Sequence, residues 1–172
     1  LLLLAVLAAC SKPPQAEADA AKAALDVAVQ NPDVAAYASD ELQAARDRLA
    51  RLQAELDAQE AKGALSRKYD TAKNMALEAQ AAAESLAAQA VTAKEQTKAE
   101  AMTLLNDLRI TVPEAEQGLA QARRVSGVRL DFRSLAASLA QAKAEVAAAE
   151  NAYNNGDYVT ARATAAAVKG SL

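Results

Sequence analysis

The chain contains no His and no Trp, only one Cys and one Phe, and just four Pro and five Gly among its 172 residues. Without His it lacks the most common general base and the most common metal ligand. No Gly-rich loop that could hold a phosphate group occurs. We therefore predict no catalytic residues, no metal ligands and no bound cofactor, so that the protein is not an enzyme.

Large apolar residues are also few, because 49 of the 172 residues are Ala. Ala is the best helix former and contributes little to sheets. The formal net charge is −3, with Lys and Arg dispersed among acidic residues, which argues against nucleic acid as a partner. This composition predicts an all-α protein with a thin core.

The first ten residues, LLLLAVLAAC, carry the most specific motif in the sequence. An apolar run this short is typical of the h-region of a signal peptide and is too short for a membrane helix. The residues Leu7, Ala8, Ala9 and Cys10 resemble a bacterial lipobox. In a lipobox the chain is cleaved immediately before the Cys, and the Cys is acylated. The alternative is an ordinary secretory peptide with an incidental Cys.

The lipobox predicts that residues 1–9 are part of a signal peptide and that residues 10–15 are an acylated Cys and a tether. Diacylglycerol and a further acyl chain on Cys10 would be the only attached groups, and two or more chains give stable membrane anchoring. Asp after the Cys resembles an inner-membrane retention signal, whereas this chain has Ser11. We therefore expect the protein on the periplasmic face of the bacterial outer membrane.

Apolar residues after the tether recur at alternating steps of three and four, which is the spacing of helices that pack in a left-handed sense. We call each such row a seam. The predicted seams are Ala18, Ala21, Leu25 and Ala28; Leu42, Ala45, Leu49, Leu52 and Leu56; Leu65, Tyr69, Ala72, Ala76, Ala79, Ala83, Leu86, Ala90, Ala93 and Thr97; Leu135, Leu139, Ala142, Val146, Ala149 and Tyr153; and Tyr158, Ala161, Ala165 and Val168. The third seam predicts one long helix over about 66–109.

Capping residues and breakers set the expected ends of these helices. A first helix over about 16–30 ends at Asn31-Pro32, and Ser39 is a good N-cap for the next. Thr111 to Glu114 reads as a capping box with Pro113 in the first turn, which predicts a new short helix there.

Later in the chain, Asp131 and Asp157 are expected to cap the last two helices. We predict an elongated antiparallel helical bundle of coiled-coil hairpins with one long central helix. It divides into a hairpin region over 16–110 and a second one over 111–172.

Two parts of the sequence resemble a known family. A lipobox followed by Ala-rich helices, one opening with Tyr37-Ala38-Ser39-Asp40-Glu41-Leu42, is similar to the domain-of-unknown-function 4398 family of bacterial envelope lipoproteins. Gly156-Asp157-Tyr158 is similar to the family's helix–turn–helix, whereas the first hairpin has Arg67-Lys68-Tyr69 instead. The resemblance implies an envelope lipoprotein and transfers no catalytic residues.

Candidate binding residues are sparse. Arg123, Arg124, Arg129 and Arg133 form the only basic cluster of the sequence; we name it the arginine cluster. It is either a solvated helix end or a contact for anionic lipid or another envelope polymer.

Three Tyr residues, Tyr69, Tyr153 and Tyr158, lie near helix ends and are interpreted as structural caps, with a ligand platform as the alternative.

The functional prediction is an outer-membrane lipoprotein with a structural or tethering role in the envelope. The alternative is a binding adaptor or accessory subunit of an envelope complex, built on hairpins like those of tetratricopeptide repeats. The membrane is the expected partner through the lipid anchor, with envelope proteins or peptidoglycan as further partner classes.

Overall fold

A computed structural model of the protein describes residues 12–125 and 129–172, and regular structure within these ranges is entirely helical. The elements are α1 (Gln15–Val29), α2 (Pro32–Tyr37), α3 (Ser39–Glu60), a 3₁₀ turn (Ala64–Ser66), α4 (Asp70–Ala122), α5 (Phe132–Asn154) and α6 (Tyr158–Ser171). The all-α prediction, including one long helix, is confirmed.

The chain forms two compact units that meet between Val91 and Thr92. Unit 1 comprises α1, α2, α3 and the part of α4 up to Val91, whereas unit 2 comprises the rest of α4 with α5 and α6. The sequence placed the division at 110/111, where a new helix was expected to begin. The structure divides instead within an uninterrupted helix, because each half of α4 packs against different helices.

Unit 1 is built around small side chains on α1, α3 and α4. Ala18 shares a buried cluster with Leu56, while Leu25 shares another with Leu42. Helix α1 therefore runs antiparallel to α3. Every residue of the seam predicted for α4 is buried from Tyr69 to Ala90. Leu65 was predicted to begin this seam, which is wrong, because it lies in the 3₁₀ turn and is exposed.

The segment between α1 and α3 also differs from its prediction. Residues 32–37 form a short helix, α2, whose N-cap is Asn31: its side chain accepts a hydrogen bond from the backbone N–H of Asp33 at 3.0 Å. Val34 of α2 is completely buried. Ser39 does not cap α3, because the helix already begins at that residue and the cap position is Ala38, which is itself buried.

Helix α4 continues through Pro113, so the predicted capping box at Thr111 to Glu114 is wrong. The Thr111 hydroxyl donates back to the carbonyl of Asp107 at 3.1 Å, as it does inside a helix. A Pro in a helix interior costs about 3 kcal/mol. Burial of Leu108 and Val112 in the core of unit 2 offsets that cost, since full burial of a large apolar side chain contributes about 1.5–3 kcal/mol.

Unit 2 packs α5 and α6 against the second part of α4. The sequence expectation of Asp caps holds here: Asp131 accepts from the backbone N–H groups of Arg133 and Ser134, and Asp157 from that of Thr160. One buried cluster of unit 2 comprises Leu105, Leu108, Val112, Ala142, Ala149, Ala165 and Val168.

Candidate functional site

The lipobox residues Leu7, Ala8 and Ala9 and the lipidation candidate Cys10 lie outside the described residues. Residues 12–14, which precede α1, are not helical. Pro14 is buried, and its carbonyl accepts from the N–H of Ala18 at 3.0 Å, so this residue is already packed against unit 1 where α1 begins.

The start of α1 is held against α4. Lys73 Nζ lies 3.2 Å from Glu17 Oε1. The pKa of Glu17 is lowered, first by a hydrogen bond from its own backbone N–H and then by this ammonium group. The position of the start of α1 on unit 1 is therefore fixed by both packing and charge.

The loop between α3 and α4, residues 61–69, lies at the same end of unit 1, and we call it the tip loop. Tyr69 ends it and shares a buried cluster with Ala18 and Leu56. Leu65 is 89% exposed, the highest value among the large apolar side chains described. Sequence reasoning missed this exposure because the spacing assigned Leu65 to the seam.

Tyr153 and Tyr158, which were also predicted to be structural caps, meet across the turn between α5 and α6. The ring centroids of Tyr153 and Tyr158 are 5.1 Å apart with an interplanar angle of 58°, and Lys98 Nζ lies 5.7 Å from the Tyr158 centroid. Gly156, with φ +83°, provides the left-handed residue that reverses the chain. The pKa of Asp157 is lowered by hydrogen bonds from Thr160. Both rings are half-buried.

The arginine cluster flanks residues 126–128 at one end of unit 2. Arg123 donates from Nη2 to the carbonyl of Phe132 at 3.1 Å, and its guanidinium carbon lies 5.9 Å from the Phe132 ring centroid. Arg124, Arg129 and Arg133 are exposed. The structure thus brings Arg123 beside the start of α5, where Arg133 lies.

Ion pairs define the register of the unit 2 helices. Arg162 pairs with Glu100 at 2.8 Å and Lys169 with Asp107 at 2.6 Å, so α6 runs parallel to α4. Helix α5 runs antiparallel to α4, because Lys143 pairs with Glu116 at 2.7 Å and Arg109 with Glu150 at 2.9 Å. All are exposed pairs and contribute little to stability.

Helix α6 ends near the level of Asp107, whereas α4 continues to Ala122 alongside α5. Beyond the end of α6 an open cleft of about 620 Å³ lies between α4 and α5. Its lining is mainly apolar and consists of Ala115, Gly118, Leu119, Ala122, Leu130, Leu135, Ser138, Leu139, Gln141, Ala142, Glu145, Ala167, Ser171 and Leu172. The cleft could receive an apolar side-chain row, and sequence analysis did not predict it.

Two negative observations apply to the part of the chain that the structure describes. Residues 12–125 and 129–172 contain no group of three or more Cys, Asp or Glu side chains placed to hold a metal ion. None of their helices carries an apolar stretch sufficient to cross a bilayer.

Comparisons of the chain with family models, curated proteins and solved structures find no match.

Proposed function

We propose that the chain is a lipoprotein, anchored through acylated Cys10 in the outer membrane, that holds its two helical units in the periplasm as a structural or tethering element. The observation that carries the proposal is the sequence Leu7-Ala8-Ala9-Cys10 after an apolar run. The non-helical residues 12–14 support it, because an anchor needs a short tether before the first packed helix. Resemblance to envelope lipoproteins of the domain-of-unknown-function 4398 family agrees with this role.

Intact mass and fractionation test the anchor. The mature protein should lack residues 1–9 and carry diacylglycerol with or without a further acyl chain on Cys10. Cys10→Ala should abolish acylation and block the removal of residues 1–9. Any Cys10→Ala chain that is nevertheless cleaved should be released from the membrane. An unmodified, soluble mature chain that begins elsewhere would contradict the proposal.

Ser11→Asp provides a matched control next to the same Cys. It should leave acylation intact and, by resemblance to the retention signal, move the protein to the inner-membrane fraction. If wild type and Ser11→Asp are both acylated, any difference between them in the fractionation reports membrane sorting and not acylation. A Ser11→Asp protein that remains in the outer-membrane fraction would contradict the proposed sorting but not the acylation.

A second candidate function is a binding adaptor, and the cleft of unit 2 favours it. Leu135 lines the cleft and is 44% exposed, although it lies on the seam of α5. A photo-crosslinking residue at position 135 should capture a stoichiometric envelope protein if the cleft binds one. The control is the same photo-crosslinking residue in place of Leu77 of unit 1, a side chain that is 47% exposed. Capture of peptidoglycan or of nothing at position 135 supports the tether alone.

A further inference from the structure

The tip loop and the exit of the tether occupy the same end of unit 1. Ala18, in the first turns of α1, packs in one buried cluster with Leu56 near the end of α3 and with Tyr69 just before α4. Lys73, in the first turn of α4, pairs with Glu17. Residues that lead into α1 therefore emerge beside the loop that connects α3 to α4.

Hydrogen bonds on both sides tie the ends of the tip loop to α3. The Gln59 amide, which is buried, donates to Glu55 Oε1 at 2.7 Å and accepts from the N–H of Lys68 at 3.0 Å. Arg67 donates to the carbonyls of Lys62 at 3.0 Å and Glu60 at 2.9 Å, and so caps the end of α3. Because both ends of the loop are fixed, the exposure of the residues between them is a property of the folded unit.

The tip loop presents an apolar side chain among cations. Leu65 projects from the 3₁₀ turn at 89% exposure, and Lys62 and Lys68 on either side of it are exposed. The charged residues of the tip loop itself, residues 61–69, are Lys62, Arg67 and Lys68. The loop therefore carries three positive charges and no acidic residue, in a chain whose formal net charge is −3.

We propose that the tip loop docks on an anionic lipid surface, with Leu65 inserted at the boundary between headgroups and acyl chains and Lys62 and Lys68 among the lipid phosphates. The inference rests on the proposed anchor at Cys10. Pro14 follows Cys10 by four positions, and this segment spans at most about 14 Å when extended. The anchor thus keeps the tip loop close to the membrane and at high effective concentration, while basic side chains are attracted to anionic lipid.

Tryptophan fluorescence tests the docking, because the chain has no Trp and one Cys. Chains that begin at Cys10 retain every described helix, and their Cys10 thiol can be coupled to a maleimide lipid in vesicles containing phosphatidylglycerol. In Leu65→Trp, emission should shift to the blue and be quenched by brominated acyl chains. Val27→Trp, at another exposed apolar position of unit 1 (71% exposed), is the matched control and should keep its emission in water.

Charge variants and lipid composition complete the test. Lys62→Gln and Lys68→Gln in the Leu65→Trp background should each weaken docking about fivefold, and vesicles of phosphatidylcholine alone should leave the indole at position 65 unquenched. Any one of three results overturns the inference. The first is equal quenching of Leu65→Trp on both lipids, and the second is quenching of Val27→Trp equal to that of Leu65→Trp. The third is an emission of Leu65→Trp that remains typical of an indole in water when anionic vesicles are present. Helical content and melting temperature, measured first, confirm that these surface variants fold. Since coupling is chemical, failure of cellular acylation would contradict the proposed function without affecting this measurement.

Discussion

Replacement of Pro113 by Ala should stabilise the protein, which is unusual for a change inside a folded unit. Pro113 is exposed, and α4 extends through it from Asp70 to Ala122. Its ring replaces the N–H that would bond to the carbonyl of Arg109, and it crowds that carbonyl. Ala at this position restores both the donor and the space.

The magnitude follows from two opposing effects. Pro is about 3 kcal/mol less favourable than Ala in a helix interior, whereas loss of its rigidity gives the unfolded chain about 0.4–1 kcal/mol of additional freedom. The net gain in the free energy of unfolding is therefore about 2 kcal/mol. At about 2–4 °C per kcal/mol for a chain of this size, the melting temperature should rise by about 4–8 °C.

Calorimetry of Pro113→Ala beside two companion variants measures this gain. Pro32→Ala is the matched control, because Pro32 is the first residue of α2, where Pro is well tolerated, and it should bring no gain. Thr111→Ala should be neutral or slightly stabilising, since Thr111 is exposed inside α4. A Pro113→Ala protein that melts no higher than wild type, together with a loss of about 1 kcal/mol in Thr111→Ala, would refute the continuous helix and restore the capping box.

Three further predictions concern packing and capping. Ala83→Leu should cost about 1–3 kcal/mol by overpacking the buried α4 seam, whereas Ala at the neighbouring exposed Glu84 should leave the thermal melt unchanged; equal effects would contradict the assigned face. Tyr158→Phe should melt like wild type, because the contact with Tyr153 needs the ring and not the hydroxyl. Tyr158→Ala should lose about 2 kcal/mol, which is less than the loss for a fully buried ring because Tyr158 is half-buried. An Ala variant that melts like wild type would make the ring a candidate ligand platform. The pKa of Asp157 is lower in the folded chain than in the unfolded chain. The ionised cap therefore stabilises the fold at pH values above the pKa of the unfolded chain, and this stabilisation is lost as the pH falls through the pKa of the folded chain. Acid melts of Asp157→Asn should therefore lose less stability between neutral pH and the acidic limit than wild type does, and an identical pH dependence would show that Thr160 does not stabilise the carboxylate.

Sequence periodicity predicted the buried residues better than it predicted the helix ends. The run from Ala72 to Ala90 was identified because a buried stripe must repeat about every 3.5 residues, and that constraint is local. The break at Pro113 was predicted from local rules, yet Leu108 and Val112 bury against helices that follow much later in the chain. Tertiary packing of this kind is not visible in a window of a few residues.

The candidate sites depend even more on distant parts of the chain. The cleft exists because α6 stops near Asp107 while α4 continues to Ala122, a difference that only the packed register reveals. Leu65 continues the numerical spacing of the seam, but the bonds made by Gln59 and Arg67 turn its segment into a loop. The lipobox is the opposite case, because four adjacent residues carry the whole motif.

The prevalence of Ala in the buried seams restricts the ways in which this sequence can change over time. A buried Leu can be damaged by truncation, whereas a buried Ala can change only to Gly, which costs about 1 kcal/mol in a helix, or to something larger. Small hydroxyl residues are the tolerated exception, as Thr97 shows: it is buried, and its hydroxyl donates to the carbonyl of Ala93 at 2.8 Å. Drift at such positions should exchange Ala, Ser and Thr while the surface varies freely. Descendants of one ancestor would then share the spacing of small residues long after they have lost recognisable identity.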